Sequence, residues 1–334
     1  MRLPVAIPFF KVKPVGHNSD VPHMHRLAGI PIEPVFITGL HRSGTTLLYS
    51  MLLATQRFNG VTAFHVLRYR QILARHLAGE TEQAKAELAE QFRAAGILDR
   101  VIDGVRVTPD MPEEYGFVIS EPGPPRLRSA NLKRFVDLCR KMQFIGEPGR
   151  LLLLKNPWDY GRSLFAKQHF PRSKFLFLHR DPARTLNSQL NAARTMLAER
   201  NPYLAMLAPR YGLLFRRPLT LYPTRWLFAP GHGLVARLLA RGVVTNIKSA
   251  TRDRAALPRA DCYDVGYEDL CTQPNETIAG ILDWLGLDKM SVPDVSTMIA
   301  QRGGMLVPEV EHLRPRLATR LSDYYRQFGY TPGV

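Results

Sequence analysis

The feature that most constrains this chain is the stretch of residues 34–50, which reads PVFITGLHRSGTTLLYS. An apolar, β-rich run at Val35–Thr38 stops at Gly39, and a run with the character of an apolar helix begins after Gly44. A strand, a glycine-bracketed turn and a helix N-terminus bring backbone N–H groups and the positive end of the helix dipole to one point. The stretch therefore predicts an anion-binding loop of the phosphate-binding kind.

The spacing of the two glycines is that of a nucleotide P-loop, but the residue after Gly44 is Thr45, where the P-loop motif requires lysine. The cation of this loop is Arg42, which precedes the second glycine. This displacement favours a phosphate-binding loop that differs from those of ordinary ATPases and kinases. Taken alone, the two glycines are equally compatible with a simple tight turn between a strand and a helix.

The charge balance of the chain favours anionic partners. Lys and Arg number 45 and Asp and Glu 29, which gives a formal net charge of +16 in a chain of 334 residues, 45% of them hydrophobic. Such a basic, globular chain suits a phosphorylated cofactor, an acidic glycan, a nucleic acid or an anionic membrane surface. The arginines are dispersed rather than gathered in runs, so no nucleic-acid partner is expected.

Cysteine usage and hydropathy predict a cytoplasmic protein. The three cysteines have no CxxC spacing, so neither a disulfide framework nor a zinc site is expected. The first residues, MRLPVAIPFFKVKPVG, do not resemble a signal peptide, and no apolar run reaches the ~18–20 residues of a membrane span. A basic and apolar segment later in the chain leaves peripheral contact with the inner membrane surface open.

Strand-like runs alternate with helix-like runs along most of the chain. This alternation predicts a doubly wound α/β fold with a mainly parallel sheet, whose ligand lies beyond the carboxyl ends of the strands. We expect residues 1–33 to form an extended N-terminal arm and residues 34–334 a single domain, with a helical, Arg-rich insertion or lid at about 195–255. The further runs that predict strands are 58–63, 151–154, Lys174–His179 and Cys262–Gly266.

Charged residues follow the predicted strands at the edge where a ligand is expected. Arg42 follows the first strand, Lys155 ends the third and Arg180 follows the fourth. Ser188 lies eight residues after Arg180, which is about two turns into the next helix. A strand-end arginine with a hydroxyl on the following helix suits a second phosphate, separate from the one in the glycine loop.

Three segments resemble the sulfotransferase family that uses 3′-phosphoadenosine 5′-phosphosulfate (PAPS). They read HRSGTTLL, FLFLHRDPARTLNSQL and VGYEDLCTQPNETIAGILDWLGL, in the order and spacing of that family. The resemblance spans about 34–287 and is poor over 195–260. It implies that the first segment binds the 5′-phosphosulfate and that Arg180 and Ser188 bind the 3′-phosphate. The loop residues implied as donor ligands are Arg42, Ser43, Gly44, Thr45 and Thr46.

The resemblance also implies the reaction. Sulfuryl transfer resembles phosphoryl transfer in its in-line displacement and in its dependence on positioning and charge stabilisation. Arg42 and the loop amides are expected to stabilise the leaving phosphate, and Lys155 the transferring sulfonate. The products would be 3′-phosphoadenosine 5′-phosphate (PAP) and a sulfated hydroxyl on a small-molecule, lipid or glycan acceptor. No metal is expected, and the oligomeric state is not predicted.

The general base has more than one candidate. Cytosolic members of the family carry a His two residues after a strand-end Lys, where this chain has Pro157. A Pro-x-Glu loop of bacterial relatives resembles residues 112–114 and implies Glu114, whereas the region after the second strand offers His65. An unperturbed imidazole titrates near ~6.5, and a carboxylate needs burial to raise its pKa. Glu114 and His65 therefore both stand, with Asp159 third.

Two other classes of function remain as alternatives. A P-loop kinase or NTPase would depend on ATP and magnesium, and Thr45 in place of lysine disfavours it. A basic, non-catalytic protein that binds an anionic partner would be expected to show a helix-turn-helix, stacking aromatics or clustered Lys and Arg runs. The dispersed arginines disfavour that second alternative.

Overall fold

A computed structural model describes residues 18–102, 104–120, 123–290, 292–299 and 304–331. Its strands are β1 (Val35–Thr38), β2 (Phe58–Gly60), β3 (Leu151–Lys155), β4 (Lys174–His179) and β5 (Cys262–Gly266). Its α-helices are α1 (Thr45–Ala54), α2 (Ala63–Leu67), α3 (Ile72–Leu77), α4 (Thr81–Ala94), α5 (Gly116–Ile119), α6 (Leu132–Ile145), α7 (Ser163–His169), α8 (Pro182–Ala198), α9 (Pro202–Leu207), α10 (Pro209–Leu214), α11 (Pro218–Phe228), α12 (Leu234–Ala256), α13 (Tyr267–Thr272), α14 (Pro274–Leu285), α15 (Pro308–Glu311), α16 (Arg314–Arg320) and α17 (Ser322–Gln327).

The strands form a five-stranded parallel sheet in the order β2-β3-β1-β4-β5, which confirms the predicted α/β class. β1 pairs with β4, with Val35 opposite Lys174, and β4 pairs with β5, with Phe175 opposite Cys262. All four residues of β1 are buried, as expected for a strand covered on both faces. The chain leaves β1 toward one edge of the sheet and leaves β4 toward the other. Such a switch point is where open α/β sheets bind their ligands.

The chain forms two compact units. Among the described residues, the first unit contains those up to Ile32 together with Asn59–Leu154 and Thr195–Pro223. The second contains Glu33–Phe58, Lys155–Arg194 and the residues from Thr224 onward. A compact unit is not thereby a separately folding domain. The prediction of a single domain over residues 34–334 stays a prediction.

The second unit has an apolar cluster to which α8, α12, α16 and α17 contribute. It buries Leu186 and Leu190 of α8, Ile247 of α12 and Leu317 of α16. Complete burial of such side chains contributes roughly 1.5–3 kcal/mol each. This packing fixes the rotation of α8, and with it the direction in which Ser188 is presented.

The first unit contains a buried ion pair. Nζ of Lys141 in α6 lies 2.6 Å from Oδ2 of Asp20 and donates to the carbonyl of Tyr69 at 2.9 Å. The other carboxylate oxygen of Asp20 accepts from the amide of Ala74 at 2.9 Å. Burial lowers the pKa of Lys141, and the bond to Asp20 opposes that shift. These bonds offset part of the desolvation cost of burying the two charges, and removal of either partner would leave an unpaired buried charge.

The residues that follow Asp20 differ from the extended arm expected of residues 1–33. Val21–Leu27 forms a 3₁₀ helix that begins with proline at one of its first two positions and buries Leu27. The buried Asp20–Lys141 pair anchors this helix beside α6, an interaction that local sequence does not reveal. Residues 1–17 of the expected arm lie outside the described residues.

The stretch expected as a helical insertion is helical. It contains α9, α10 and α11 and continues into the long helix α12. Proline occupies one of the first two positions of α9 and α10, where its missing N–H costs no hydrogen bond. None of the helices in the described part of the chain combines the length and apolar character that a membrane crossing requires.

Candidate active site

The loop between β1 and α1 has the conformation of an anion cradle. Arg42 and Gly44 adopt left-handed backbone conformations, with φ of 70° and 104°. A side chain at position 44 would in addition overlap the ring of Tyr267, so only glycine fits there. The first intrahelical hydrogen bond of α1 runs from the Leu48 amide to the Gly44 carbonyl, at 3.1 Å. The earlier amides of this first turn therefore face the helix N-terminus, where anions bind.

Residues from the next strand connection hold Arg42 in its left-handed conformation. Nη1 of Arg180 donates to the Arg42 carbonyl at 2.9 Å, and Nε of Arg42 donates to Oγ of Ser188 at 3.2 Å. Nε2 of Gln189 donates to the His41 carbonyl at 2.8 Å. A non-glycine residue in this region costs on the order of 1–3 kcal/mol and persists only where its surroundings impose it. The structure thus brings together Arg42, Arg180 and Ser188, which the sequence assigned to two separate phosphates.

Two tyrosines without a role in the sequence-based prediction support Arg180. Its guanidinium lies over the ring of Tyr267, with Cζ 3.9 Å from the ring centroid, in a cation–π contact. The hydroxyl of Tyr324 accepts from the Arg180 amide at 3.3 Å and donates to its carbonyl at 3.4 Å. Tyr267 directly follows β5 at the ligand edge of the sheet and belongs to the third segment that resembles the family. Tyr324 lies 144 residues from Arg180 and gave no sequence signal.

Lys155 brings a buried cation to the same loop. It is the last residue of β3, is 1% exposed, and donates from Nζ to Oγ1 of Thr46 at 3.1 Å. Thr46 lies in the first turn of α1. A buried ammonium group requires polar or anionic partners. The side chain is therefore suited to an anion that approaches the start of α1.

Ser43 serves the shape of the loop as well as its polarity. Its amide donates to the Leu40 carbonyl at 3.1 Å, and its hydroxyl donates to the same carbonyl at 2.7 Å. Ser43 is thereby committed to closing the turn. The backbone groups nearest the helix N-terminus are the amides of Gly44, Thr45 and Thr46, all ahead of the first intrahelical bond.

Glu114, a candidate base, follows a buried carboxylate in the first unit. Glu113 accepts from the hydroxyl of Tyr203 at 2.7 Å through Oε2 and from the amide of Glu114 at 2.9 Å through Oε1. A β-bridge between Thr62 and Pro112 fixes the preceding residue of this loop. Burial, with the Glu113 charge, raises the pKa of Tyr203 well above its ordinary value, so its hydroxyl remains a donor.

His65, the other leading candidate, caps a helix. Its Nδ1 accepts from the amide of Thr62 at 3.1 Å, which completes a capping box at the start of α2. This hydrogen bond implies that the neutral ring carries its proton on Nε2. Burial, and then the positive charge of Lys85, lower the pKa of His65 to about 4.

Asp159 lies in the second unit with the glycine loop. It ends the short 3₁₀ turn Pro157–Asp159 that follows β3, and its Oδ2 accepts from Nδ2 of Asn156 at 2.6 Å. Glu114 and His65 belong to the first unit, whereas Arg42, Lys155, Arg180 and Ser188 belong to the second.

Comparison with known proteins identifies the family. A sequence model of the sulfotransferase family matches residues 34–216, which is more than half of the chain. The chain belongs to the sulfotransferase family, as its three motifs predict. The matched range includes the glycine loop, Lys155, Arg180 and Ser188.

Solved structures share the fold at low sequence identity. Sulfotransferase STF9 from Mycobacterium avium superposes with a TM-score of 0.65 and 13% identity, over 93% of this chain and 81% of that one. Sulfotransferase STF1 from Mycobacterium tuberculosis H37Rv gives a TM-score of 0.55 and 16% identity, over 89% and 79%. At this identity the likeness is one of fold.

A curated relative extends the sequence likeness beyond the family model. Protein-tyrosine sulfotransferase 2 from Gallus gallus is 23% identical over 306 residues, which cover 90% of this chain. The chain spans 64% of the length of that relative.

Proposed function

We propose that this protein is a sulfotransferase that moves a sulfonate group from PAPS to a hydroxyl of a small-molecule, lipid or glycan acceptor. The observation that carries the proposal is the convergence of Arg42, Arg180 and Ser188 on one glycine loop, with the buried Lys155 at the adjacent helix N-terminus. A donor with two separated phosphate groups needs two such sets of cationic and hydroxyl groups. An ordinary NTPase needs one set with a P-loop lysine.

The residues of this donor site fit PAPS chemically. Nε of Arg180 is buried and has no hydrogen-bond partner within the described residues. A guanidinium N–H in that position lacks an acceptor, which a bound phosphate oxygen would supply. Because residue 44 is glycine, the Tyr267 ring can pack directly against the loop and lie under the guanidinium of Arg180.

Each residue of the donor site has a role in this proposal. PAPS, when bound, supplies a sulfonate activated by a phosphate leaving group. Arg180 and Ser188 bind the 3′-phosphate, and Tyr267 keeps the guanidinium of Arg180 in place. Arg42 and the amides of Gly44, Thr45 and Thr46 stabilise negative charge on the 5′-phosphate, a type of contribution worth ~10²–10³ in rate for one donor.

Lys155 completes the charge stabilisation by binding the transferring sulfonate. Its Nζ already donates a hydrogen bond to Thr46, which lies in the first turn of α1. A buried cation acts in a medium of low effective dielectric constant, where its interaction with a sulfonate oxygen is stronger than in water.

For the general base we propose Glu114 ahead of His65 and Asp159. The Nδ1 lone pair of His65 is used by the Thr62 amide, and its other ring nitrogen then carries the proton. The Asp159 carboxylate accepts a short hydrogen bond from Asn156. The backbone amide of Glu114 is held by the side chain of Glu113, and this bond helps to position the Glu114 side chain.

Label transfer tests the proposal. Radiolabelled PAPS is incubated with the protein and with a phenol, an aliphatic alcohol, an oligosaccharide and a lipid hydroxyl, and labelled product and PAP are both measured. We expect transfer to at least one acceptor class, reduced ~10²-fold or more in Arg42→Ala and Lys155→Met. No transfer and no PAP from the wild type, or undiminished transfer by both variants, would overturn the proposal.

A further inference from the structure

A long stretch of the chain carries charge of only one sign. No Asp or Glu occurs between Glu199 and Asp253, whereas Arg and Lys occur nine times in that interval. Over the whole chain, by contrast, Asp and Glu number 29 against 45 for Lys and Arg. Solvent-exposed helices usually mix the two signs along their surface. A stretch of this length without a carboxylate is suited to contact with an extended negative surface.

Within this stretch, α11 presents a row of large apolar side chains to solvent. Leu219, Tyr222 and Trp226 are 94%, 64% and 63% exposed. Leu219 and Tyr222 lie one turn apart on one side of the helix, and Trp226 follows about one turn later, beyond the internal Pro223. Leu221 lies on the opposite side of the helix; it is buried and attaches the helix to the protein. The exposed row is therefore one face of a helix that is fixed by its other face.

Cations adjoin this row. Arg216 and Arg217 directly precede α11 and are exposed, and Arg225 lies on the helix itself. Leucine, tyrosine and tryptophan on one face with arginines around it is the composition of helices that lie in the interface of a membrane. Tyr and Trp favour the headgroup level, because each ring has an apolar body and a polar group.

We propose that α11 docks this protein on an anionic membrane surface. Leu219, Tyr222 and Trp226 enter the headgroup region, and Arg216 and Arg217 contact anionic lipid headgroups. Charge complementarity selects this occupant, since a lipid surface with anionic headgroups is negative over its whole extent and the stretch has no carboxylate to repel it. The proposal concerns how the protein is localised and does not depend on the reaction it catalyses.

Vesicle binding tests the proposal. The full chain is sedimented with vesicles of phosphatidylcholine alone and of phosphatidylcholine mixed with phosphatidylglycerol, at low and high salt. We expect binding to the mixed vesicles that falls steeply with salt. We expect Arg216→Gln/Arg217→Gln to weaken that binding ~10-fold or more. Leu219→Ser/Trp226→Ser should weaken it by at least a similar factor, because it removes most of the inserted apolar area.

Matched controls distinguish binding through this face from nonspecific electrostatic and hydrophobic binding elsewhere on the protein. Leu98→Ser removes another exposed leucine, and Arg326→Gln another exposed arginine; both should leave vesicle binding within about twofold. Equal binding to both vesicle types, no binding to either, or equal loss in the controls would overturn the proposal. Self-association without vesicles that Leu219→Ser/Trp226→Ser abolishes would also overturn it, because a second copy would then cover this face.

Fluorescence gives a second readout that does not depend on sedimentation. The chain has three tryptophans, of which Trp226 is on the exposed face of α11. Entry of an indole into the headgroup region shifts its emission to shorter wavelength. We expect that shift with the mixed vesicles in the wild type and its loss in Trp226→Phe, with unfolding temperatures unchanged. A shift that persists in Trp226→Phe would contradict the proposed face.

Discussion

The proposed donor site and the loop that carries Glu114 are built in different ways. In that site, residues at strand ends and in the first two turns of the following helices converge on one glycine loop, and each bonds to another member or to its backbone. The Glu114 loop instead depends on Glu113, which is bonded 90 residues along the chain to Tyr203. The donor site thus uses geometry that parallel sheets provide, whereas the candidate base depends on an individual long-range contact. The carboxyl ends of parallel strands bind nucleotides in many proteins, whereas loops held by single contacts vary more readily between related proteins.

The largest expected effect separates the two regions directly. Glu114→Gln should lower kcat by ~10²–10⁴, the range for loss of a general base, and leave PAP binding unchanged. His65→Gln is the matched control, because glutamine at the third position of α2 can keep the capping box without an imidazole. We expect that variant to retain turnover within about tenfold. Turnover and PAP-induced thermal stabilisation are measured for both.

Two outcomes of that pair contradict the assignment. If His65→Gln loses turnover while Glu114→Gln keeps it, the base lies at position 65. If Glu114→Gln loses PAP binding as well as turnover, the two regions are not functionally separate.

The next effect concerns the donor site alone. Arg180→Ala should lower kcat/KM for PAPS by ~10²–10³, because it removes the bond to the Arg42 carbonyl and the proposed ligand of the 3′-phosphate. Arg57→Ala is the control, since Arg57 bonds to Asp288 at the protein surface. It should change kcat/KM less than about threefold. Equal losses in the two variants would show a general charge effect.

Acid stability separates the structural role of His65 from a catalytic one. Its folded pKa of about 4 lies below the ordinary value of 6.5, so the unfolded chain binds the proton more tightly. His65 therefore contributes stability that is present above pH ~6.5 and is lost as the pH falls toward 4, about 2 kcal/mol of it by pH 5. We expect His65→Gln to lose less stability than the wild type between pH 7 and 5 in chemical denaturation. An identical acid dependence would contradict the buried, capping state of His65.

The smallest effect tests the support of the Glu114 loop. Tyr203→Phe removes the hydroxyl that donates to the buried Glu113 and should destabilise the protein by about 1–2 kcal/mol. Because that carboxylate also holds the Glu114 amide, we expect kcat to fall several-fold while KM for PAPS stays constant. Tyr211→Phe is the control, because it removes the hydrogen bonds of a different tyrosine hydroxyl, which is partly buried. We expect that variant to lose stability without a change in kcat. A change in KM for PAPS instead of kcat would contradict the role given to Tyr203.

Much of the donor region could be predicted from the sequence. The observed bounds of β1, β4 and β5 are the predicted ones. The buried residues of β1 and β4 are mostly apolar, because strands of a buried parallel sheet read as hydrophobic stretches. The eight-residue spacing of Arg180 and Ser188 follows from one strand end and two helical turns. Local rules of this kind are sufficient to predict a site whose residues are brought together by the fold itself.

The support of that site could not be predicted. Tyr324 bonds to Arg180 from α17, and a tyrosine in an amphipathic helix looks like any other core residue. The cap role of His65 is local but has a histidine where the capping box usually has Glu or Gln. The bond between Glu113 and Tyr203 depends on the tertiary path of the chain. The residue before the 3₁₀ helix, Asp20, is held by a buried ion pair in which Lys141, far along the chain, donates to its carboxylate. Such contacts have no periodic signature in a single sequence.

The central claim is that the glycine loop and Arg180 form one site for two phosphates. The most direct test is thermal unfolding of the wild type and Arg180→Ala with PAP, with 5′-AMP and with ATP and magnesium. We predict stabilisation of the wild type by PAP, ~2.7 kcal/mol at a concentration about 100-fold above its dissociation constant. We predict little effect of the other two ligands and loss of the PAP response in Arg180→Ala. Equal stabilisation by all three ligands, or an undiminished PAP response in Arg180→Ala, would contradict the claim.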